Sequence, residues 1–310
     1  APKRSIFQSW IDDCKKFECE ELLEHITFTT YLSLGKNKID YDCVYLDEMH
    51  SLLDSHLEWL DSYRGRILGL TGTPPKRGAK ADIVFKYCPV KFTYSVDTAI
   101  DDKILNDYEI HVHVMPLDTR NNIKKESKTS GIWYTSEYKQ YSFWNNKLQN
   151  AVSDKEVRFL RIMRMKTLMS LPSKEKYALQ LMNNTNNKCI VFANTQEQAD
   201  RICEHSYHSN NPESPDSLIK FKNGDITKLS CVLQLSEGVN IPNLKQGIIM
   251  HAYGNERKSS QRIGRLLRLN PTETSIVHIL CYKGTVDETW VGEALKDLDQ
   301  TKIKYFDADS

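Results

Sequence analysis

Short apolar runs of strand length recur through the chain, and each breaks off into polar or turn-forming residues. They are Tyr41–Leu46 (YDCVYL), Arg66–Leu70 (RILGL), Lys188–Ala193 (KCIVFA), Leu229–Leu235, Gln246–Ala252 (QGIIMHA) and Ser275–Cys281 (SIVHILC). Continuous rather than alternating hydrophobicity predicts strands buried on both faces of a parallel sheet. Segments of helical spacing fall between them, at Ser51–Tyr63, Gln196–His205 and Gln261–Leu269. Strand, helix and strand in turn make βαβ units, so the fold class is α/β with parallel sheets. The alternating Glu109–Met115 (EIHVHVM) predicts a strand opening the second half. Asn121–Asn150 has no clean period and reads as an excursion from the sheet. Ser153–Ser170 is a helix, with Ser153 and Glu156 three residues apart as a capping box. Asn210–Asp216, with two prolines, is a loop.

At 310 residues there is room for two domains of ordinary size. The halves share one plan, as two related lobes would. The formal net charge is +1. Global attraction to nucleic acid is therefore excluded, and any such site is a local patch. The eight cysteines form no C-x-x-C pair, which argues against structural zinc. Cys43 and Cys189 sit inside apolar runs as small hydrophobes, consistent with a reducing compartment. No apolar stretch is long enough to span a bilayer and no signal peptide is visible, so the expected location is the cytoplasm, with the nucleus left open.

Four segments carry chemistry. Asp47-Glu48-Met49-His50 closes the first apolar run. In open α/β sheets ligands bind beyond the carboxyl ends of the strands. There an Asp can hold Mg²⁺ through water, and the next Glu can orient and deprotonate an attacking water. Alone, the pair equally fits an acid-rich helix start. Thr71-Gly72-Thr73-Pro74 follows the second run; its hydroxyls can hydrogen-bond His50 or Asp47, or simply form a turn. Gln261 to Arg268 (QRIGRLLR) sets Arg262, Arg265 and Arg268 on one helical face, suited to phosphate. A basic surface helix would look similar, but Gly264 is costly in a helix interior without a packing reason. Leu235 to Pro242 (LSEGVNIP) is a strand-end loop that is generic by itself.

The order of these segments resembles the superfamily 2 nucleic-acid helicases, the DExH branch with two RecA-like lobes. Ala1-Pro2-Lys3-Arg4 with Gln8-Ser9-Trp10 resembles motif Ia, and Ile26–Leu34 (ITFTTYLSL) motif Ib. Asp47–His50 resembles motif II, Thr71–Pro74 motif III, and Ile190–Thr195 (IVFANT) motif IV. Glu237–Pro242 resembles motif V and Gln261–Arg268 motif VI. The QRIGRLLR form looks closest to phage recombination helicases, repair helicases and restriction-enzyme motors. The resemblance implies a lobe 1 at 1–107 and a lobe 2 at 108–310, the latter with an aromatic and helical excursion at about 121–175. It implies ATP and Mg²⁺ as cofactors, with Asp47 on the metal and Glu48 activating water. His50, Thr71, Thr73, Glu237, Gly238 and Asn240 would couple hydrolysis to lobe movement. Gln261 would sense the γ-phosphate, with Arg265 and Arg268 as arginine fingers. Pro2, Lys3, Arg4, Thr30, Thr195 and Gly238 would line the nucleic-acid track.

Two departures stand out. Asn240 occupies a position where the family usually has Asp. No G-x-x-x-x-G-K-[ST] occurs anywhere; the one Gly-Lys pair is Gly35-Lys36, followed by Asn37. A phosphate cradle needs that loop. The chain begins at motif Ia, so the expectation is a piece of a longer protein whose first lobe lacks its P-loop here.

The functional expectation is an ATP-dependent helicase or translocase acting on DNA, monomeric or weakly oligomeric and without a membrane partner. Three readings stay beside it: an RNA helicase, a restriction-system motor, and a non-catalytic nucleic-acid-binding module. Arg158, Arg161, Arg164 and Lys166 give the capped helix a basic side that suits phosphates or plain solvation, with Phe159, Leu160, Met163 and Leu168 expected inward. Trp133, Tyr134, Tyr138, Tyr141, Phe143 and Trp144 are expected to form a small satellite core rather than a base-stacking platform. The acidic Asp297–Asp299 and Asp307–Asp309 read as a solvated tail.

Overall fold

A parallel ladder joins β1 (Cys43–Asp47) to β2 (Arg66–Leu70), in register from Cys43 opposite Arg66 to Asp47 opposite Leu70. The computed structural model describes residues 1–2, 4–38, 40–75, 78–127, 129, 131–232, 241–252 and 274–308. Among these the chain divides into two compact units, Ala1–Ser95 and a second that starts at Val96. The division falls ahead of the boundary expected at residue 107.

In the first unit, α1 (Ser5–Lys16) precedes β1, α2 (Leu57–Ser62) lies between the two strands, and α3 (Ala79–Tyr87) follows β2. The core joins Leu46 of β1 to Tyr31, Leu34, Met49, Leu52, Trp59, Leu60, Val84 and Cys88, with Val44 and Ile67 packed against it. Only one face of the strand pair is covered. Tyr45, Leu68 and Leu70, on the other face, are 57, 47 and 40% exposed. The strands are thus half-buried, not buried on both faces as their apolar runs predict. The expected helix over Ser51–Tyr63 is also shortened to α2. Ahead of it, Leu53 is extended, and its N–H donates to His56 Nδ1 at 2.9 Å, satisfying a group that a continuous helix would have used.

The second unit holds a seven-stranded sheet among the described residues. It begins with α4 (Val96–Asp101) and β3 (Asp107–Met115). The hairpin β4 (Ile123–Ser127) and β5 (Gly131–Thr135) comes next, then α5 (Glu137–Gln149), α6 (Asp154–Ser170) and α7 (Pro172–Asn183). β6 (Cys189–Phe192), α8 (Gln196–Ile202), β7 (Ser206–Tyr207), α9 (Ser214–Asn223) and β8 (Lys228–Cys231) continue the alternation. β9 (Gln246–Ile249), β10 (Thr274–Tyr282), α10 (Val286–Leu295) and β11 (Ile303–Asp307) complete it. The strand order is β11-β3-β10-β9-β6-β8-β7, and every pairing is parallel. Here continuous hydrophobicity does mean full burial: all four residues of β6 are buried, with Cys189 and Val191 in one core cluster beside Ala178, Ala199, Ile248 and Leu280. None of the eight cysteines is in a disulfide. No described helix is long and apolar enough to cross a membrane.

Four helix starts carry a side-chain cap. Ser136, Ser153, Thr195 and Thr285 each accept a backbone N–H with their hydroxyl at the first turn of α5, α6, α8 and α10. At α6 the reciprocal Glu156 carboxylate accepts from Val152 N–H at 3.2 Å, one residue before the cap.

Three expectations are corrected here. The closing segment is not wholly a tail: Asp307 ends β11 (Ile303–Asp307), which pairs with β3 from Ile110 to Val114, although the Asp307 side chain itself is exposed and Asp309 lies outside the described residues. The aromatics of the excursion do not form a satellite core. Trp133, Tyr134, Tyr138 and Phe143 are exposed, and Tyr141 alone of the named set is buried, its hydroxyl accepting Val286 N–H. On α6, Leu160 and Leu168 face inward, but Phe159 is exposed. In addition, the proline-containing loop is shorter than expected, because Pro215 sits in the first turn of α9, where its missing N–H has no intrahelical partner to lose.

A buried polar network ties α5, α7, β10, α10 and the segment after β9 together. Glu137 accepts Asp118 N–H, Ser173 N–H and the Ser173 hydroxyl, at 3.0, 2.8 and 2.9 Å. Lys174 Nζ donates to Asp287 Oδ2 and lies 3.0 Å from His251 Nδ1, and Asp287 Oδ2 also accepts Tyr282 N–H. Lys174 and Asp287 are both wholly inaccessible. Burial alone would raise the Asp287 carboxyl, but Lys174 and His251 outweigh it and hold the pKa at about 2. Burial pulls Lys174 below the usual lysine range, against the pull of Asp287.

Candidate nucleotide site

The carboxyl ends of β1 and β2 lie side by side, because Asp47 is in register with Leu70. The residues that leave both strands are therefore neighbours. Asp47 ends β1, and Glu48 turns the chain with φ 51° and ψ 51°. A left-handed conformation at a non-glycine residue is uncommon and concentrates at functional sites. It throws Met49 into the core and starts a short 3₁₀ turn, Met49–Ser51. Gly69 of β2 permits this packing. A Cβ there would stand 2.3 Å from Met49 Sδ and 2.8 Å from Cys88 Sγ.

His50 is buried, and its Nδ1 lies 2.8 Å from Thr71 Oγ1 and 3.2 Å from Glu48 Oε2. One imidazole nitrogen thus links the acid of β1 to the hydroxyl after β2. Thr71 Oγ1 also accepts Thr73 N–H at 3.1 Å. Glu48 Oε2, which has the 3.2 Å ion-pair approach of His50 but no hydrogen bond of good geometry, and Thr73 Oγ1 are buried and unsatisfied among the described residues. Unsatisfied buried acceptors are uncommon and mark places where a ligand or water is held. Asp47 is fixed from two directions. Trp10 Nε1 donates to its Oδ2 at 3.2 Å, and the Tyr31 hydroxyl donates to its backbone oxygen at 2.8 Å. Burial, then the nearby Asp47 charge, pushes the Tyr31 phenol up, so it remains a donor.

Of the sequence-predicted residues, Asp47, Glu48, His50, Thr71 and Thr73 come together in the first unit. Pro2 and Thr30 are half-buried and Arg4 is exposed in the same unit. Ala1 and Tyr31 are joined by Tyr31 N–H donating to Ala1 O at 3.1 Å, which brings the segments of Pro2 and Thr30 side by side. Thr195 is the cap of α8 in the second unit, its hydroxyl accepting Gln198 N–H at 3.2 Å. Lys3, Glu237, Gly238, Asn240, Gln261, Arg265 and Arg268 lie outside the described residues, as does the expected helix at Gln261–Leu269. Sequence reasoning did not place Trp10 and Tyr31 at the acidic pair. They sit 37 and 16 residues from Asp47 with no local pattern joining them.

The donor set fits Mg²⁺, a hard cation that takes one or two carboxylates and keeps several waters. Asp47 offers a half-exposed carboxylate, and Glu48 one whose Oε2 is approached by the His50 nitrogen alone among the described residues. The triphosphate is a different matter, because these 310 residues contain no Gly-rich loop ending in Gly-Lys-Ser or Gly-Lys-Thr to cradle it.

Residues 173–270 match the helicase conserved C-terminal domain. That domain, the ordered motifs and the parallel α/β units together resemble the superfamily 2 helicases. Among curated proteins the chain is similar to the DNA 3'-5' translocase XPB2 of Sulfurisphaera tokodaii. The two are 27% identical over 296 residues, covering 86% of this chain and 66% of that relative. The chain thus spans just under two thirds of that protein's length. Among solved structures it resembles the ATP-dependent Type ISP restriction-modification enzyme LlaBIII bound to DNA, with TM-score 0.55 and 15% identity over 91% of this chain and 23% of that one. It also resembles Saccharomyces cerevisiae Dbp5 bound to RNA and ADP BeF3, with TM-score 0.51 and 12% identity over 90% and 63%. At these identities the structures show the fold alone.

Proposed function

We propose that the chain is the motor part of an ATP-dependent DNA helicase or translocase, which hydrolyses ATP to ADP and phosphate and steps along a strand. The observation that carries this reading is the linkage at the strand ends: Glu48, His50 and Thr71 joined through one nitrogen beside Asp47. When bound, Mg²⁺ neutralises charge on the phosphates. Asp47 would hold it through water. Glu48, whose Oε2 is approached by the His50 nitrogen alone among the described residues, would orient and deprotonate the attacking water. His50 reports the state of Glu48 to Thr71 and, through Thr71, to the backbone of Thr73. Gln261, Arg265 and Arg268 would stabilise the transferring phosphoryl group. Glu237, Gly238 and Asn240 would couple turnover to lobe closure, and Pro2, Lys3, Arg4, Thr30 and Thr195 would contact phosphates and sugars rather than bases. The kinship with a DNA translocase favours DNA over RNA. The cysteine usage favours a reducing compartment such as the cytoplasm.

A second reading, a nucleic-acid-binding module without turnover, is favoured by the lack of a phosphate cradle in this sequence. The test uses the product of the full coding sequence, assayed for ATP hydrolysis with DNA and with RNA. Glu48→Gln is expected to abolish turnover while nucleotide binding persists. Hydrolysis at the parent rate in that variant would refute the assignment of Glu48. Stimulation by RNA and not DNA would reassign the polymer, and absence of hydrolysis in the parent would favour the binding module.

A further inference from the structure

Three histidines meet on one face of the second unit's sheet, far in sequence from the acidic pair. β10 runs parallel to β3 with His278 opposite His111. His113 is two residues further along β3, so it shares the face of His111. The imidazole rings of His111 and His113 stand 5.4 and 5.1 Å from that of His278, centre to centre. One nitrogen from each ring lies within 4.8 Å of the other two.

Two of the rings, His111 and His113, are held by a partner on one nitrogen. His111 Nε2 lies 2.9 Å from Glu109 Oε2, and Lys304 Nζ donates to the same carboxylate oxygen at 2.8 Å. His113 Nδ1 lies 3.0 Å from the Tyr177 hydroxyl of α7. His113 Nε2 then faces His278 Nδ1 at 2.9 Å. This is the arrangement that metal-binding histidines use: the outer nitrogen is held by a carboxylate or hydroxyl, which fixes the ring and leaves the inner nitrogen for the ion. Phe306 of β11 stacks on His113 at 5.5 Å, so the cluster has an apolar wall, while His111, its side chain 17% exposed, lies toward the rim.

We propose that His111, His113 and His278 bind one transition-metal ion of the zinc, cobalt(II) or nickel(II) class, with water in the remaining position and Glu109 as an outer acceptor. Imidazole suits these ions, and three histidines leave one coordination place open. Bonds of about 2.0–2.1 Å at tetrahedral angles put ligand nitrogens about 3.3 Å apart. His113 and His278 need open by only about 0.4 Å from their 2.9 Å hydrogen bond to reach that spacing. The bound ion would clip β3 to β10, the strand pair on which the sheet's far edge is built.

The test is titration of Co²⁺ into the chelator-treated, reduced full chain. The expected result is one equivalent bound, with visible d–d absorption and no thiolate-to-cobalt charge-transfer band, which separates histidine from cysteine ligation. Zn²⁺ should displace the cobalt and raise the melting temperature. His111→Gln and, separately, His278→Gln should weaken the affinity by roughly tenfold or more. Because His111 sits at the rim, its variant keeps the native circular dichroism and separates binding from folding. No saturable uptake, a thiolate band, or a titration unchanged in His111→Gln would overturn the site.

Discussion

Replacing Lys174 by Met should be among the most damaging single changes in the second unit. Lys174 is wholly buried, bonded to Asp287, 3.0 Å from His251 and 4.7 Å above the Tyr282 ring. Methionine nearly matches its apolar stem but removes the ammonium bonded to a wholly buried carboxylate. Without Lys174, the Asp287 carboxylate would be left with the Tyr282 N–H and with His251, whose Nδ1 lies 3.6 Å from Oδ1 and which carries charge only when protonated. Breaking a buried pair from one side costs about 3–5 kcal/mol. That is a large share of a domain stability of roughly 5–15 kcal/mol. Removing both charges is different. In Lys174→Met with Asp287→Leu, no ion is stranded. The remaining deficit is the Tyr282 N–H that Asp287 accepts at 3.0 Å, about 1–3 kcal/mol. The double variant should therefore be more stable than Lys174→Met alone, with a coupling of at least about 2 kcal/mol. Urea unfolding followed by circular dichroism and by Trp290, which packs beside this network, measures all four corners of the cycle. A Lys174→Met chain within about 1 kcal/mol of the parent, or strictly additive effects, would refute the reasoning.

Other outcomes follow from the same contacts. Gly69→Ala places a Cβ 2.3 Å from Met49 Sδ and 2.9 Å from Cys88 Cβ, so it should destabilise the first unit by about 1–3 kcal/mol. Equal thermal stability would deny the close packing of β2 on the Met49 turn. Thr71→Val keeps the shape but removes the oxygen shared by His50 and Thr73 N–H, a loss of about 1 kcal/mol in denaturant titrations. Asp287 has its folded pKa depressed from 3.8 to about 2, so its contribution is present above pH 3.8 and lost as the pH falls toward 2. At roughly 1.4 kcal/mol per pH unit, the urea midpoint of the second unit should fall by the equivalent of about 2 kcal/mol across that window. The fall should be flatter in Asp287→Asn.

What the sequence reveals divides along the length scale of the forces involved. Strand ends, caps and turns are set by neighbours three or four residues apart, so Asp47, Thr71, Ser153 and Thr195 stand at the element ends that their chemistry suggests. Burial is set by partners that no periodicity announces. Tyr45 and Leu68 look like core residues and are exposed, because a run of apolar residues says only that a face needs covering. Lys174 is the opposite case. In the sequence it is an ordinary lysine near a helix start, with every expectation of solvent. It is buried because Asp287, 113 residues later, begins α10 against the same core, and the capping hydroxyl of Thr285 fixes that start. His113 and His278 are 165 residues apart, and their meeting requires β3 to pair with β10 across the whole intervening domain. Charge and imidazole partners of this kind depend on strand order, and strand order is the quantity that alternating hydrophobicity leaves free. The acidic pair of β1 is legible because its partner, Thr71, follows the next strand. Trp10, which holds the same carboxylate, is not, because it arrives from a helix whose own pattern explains it fully without Asp47.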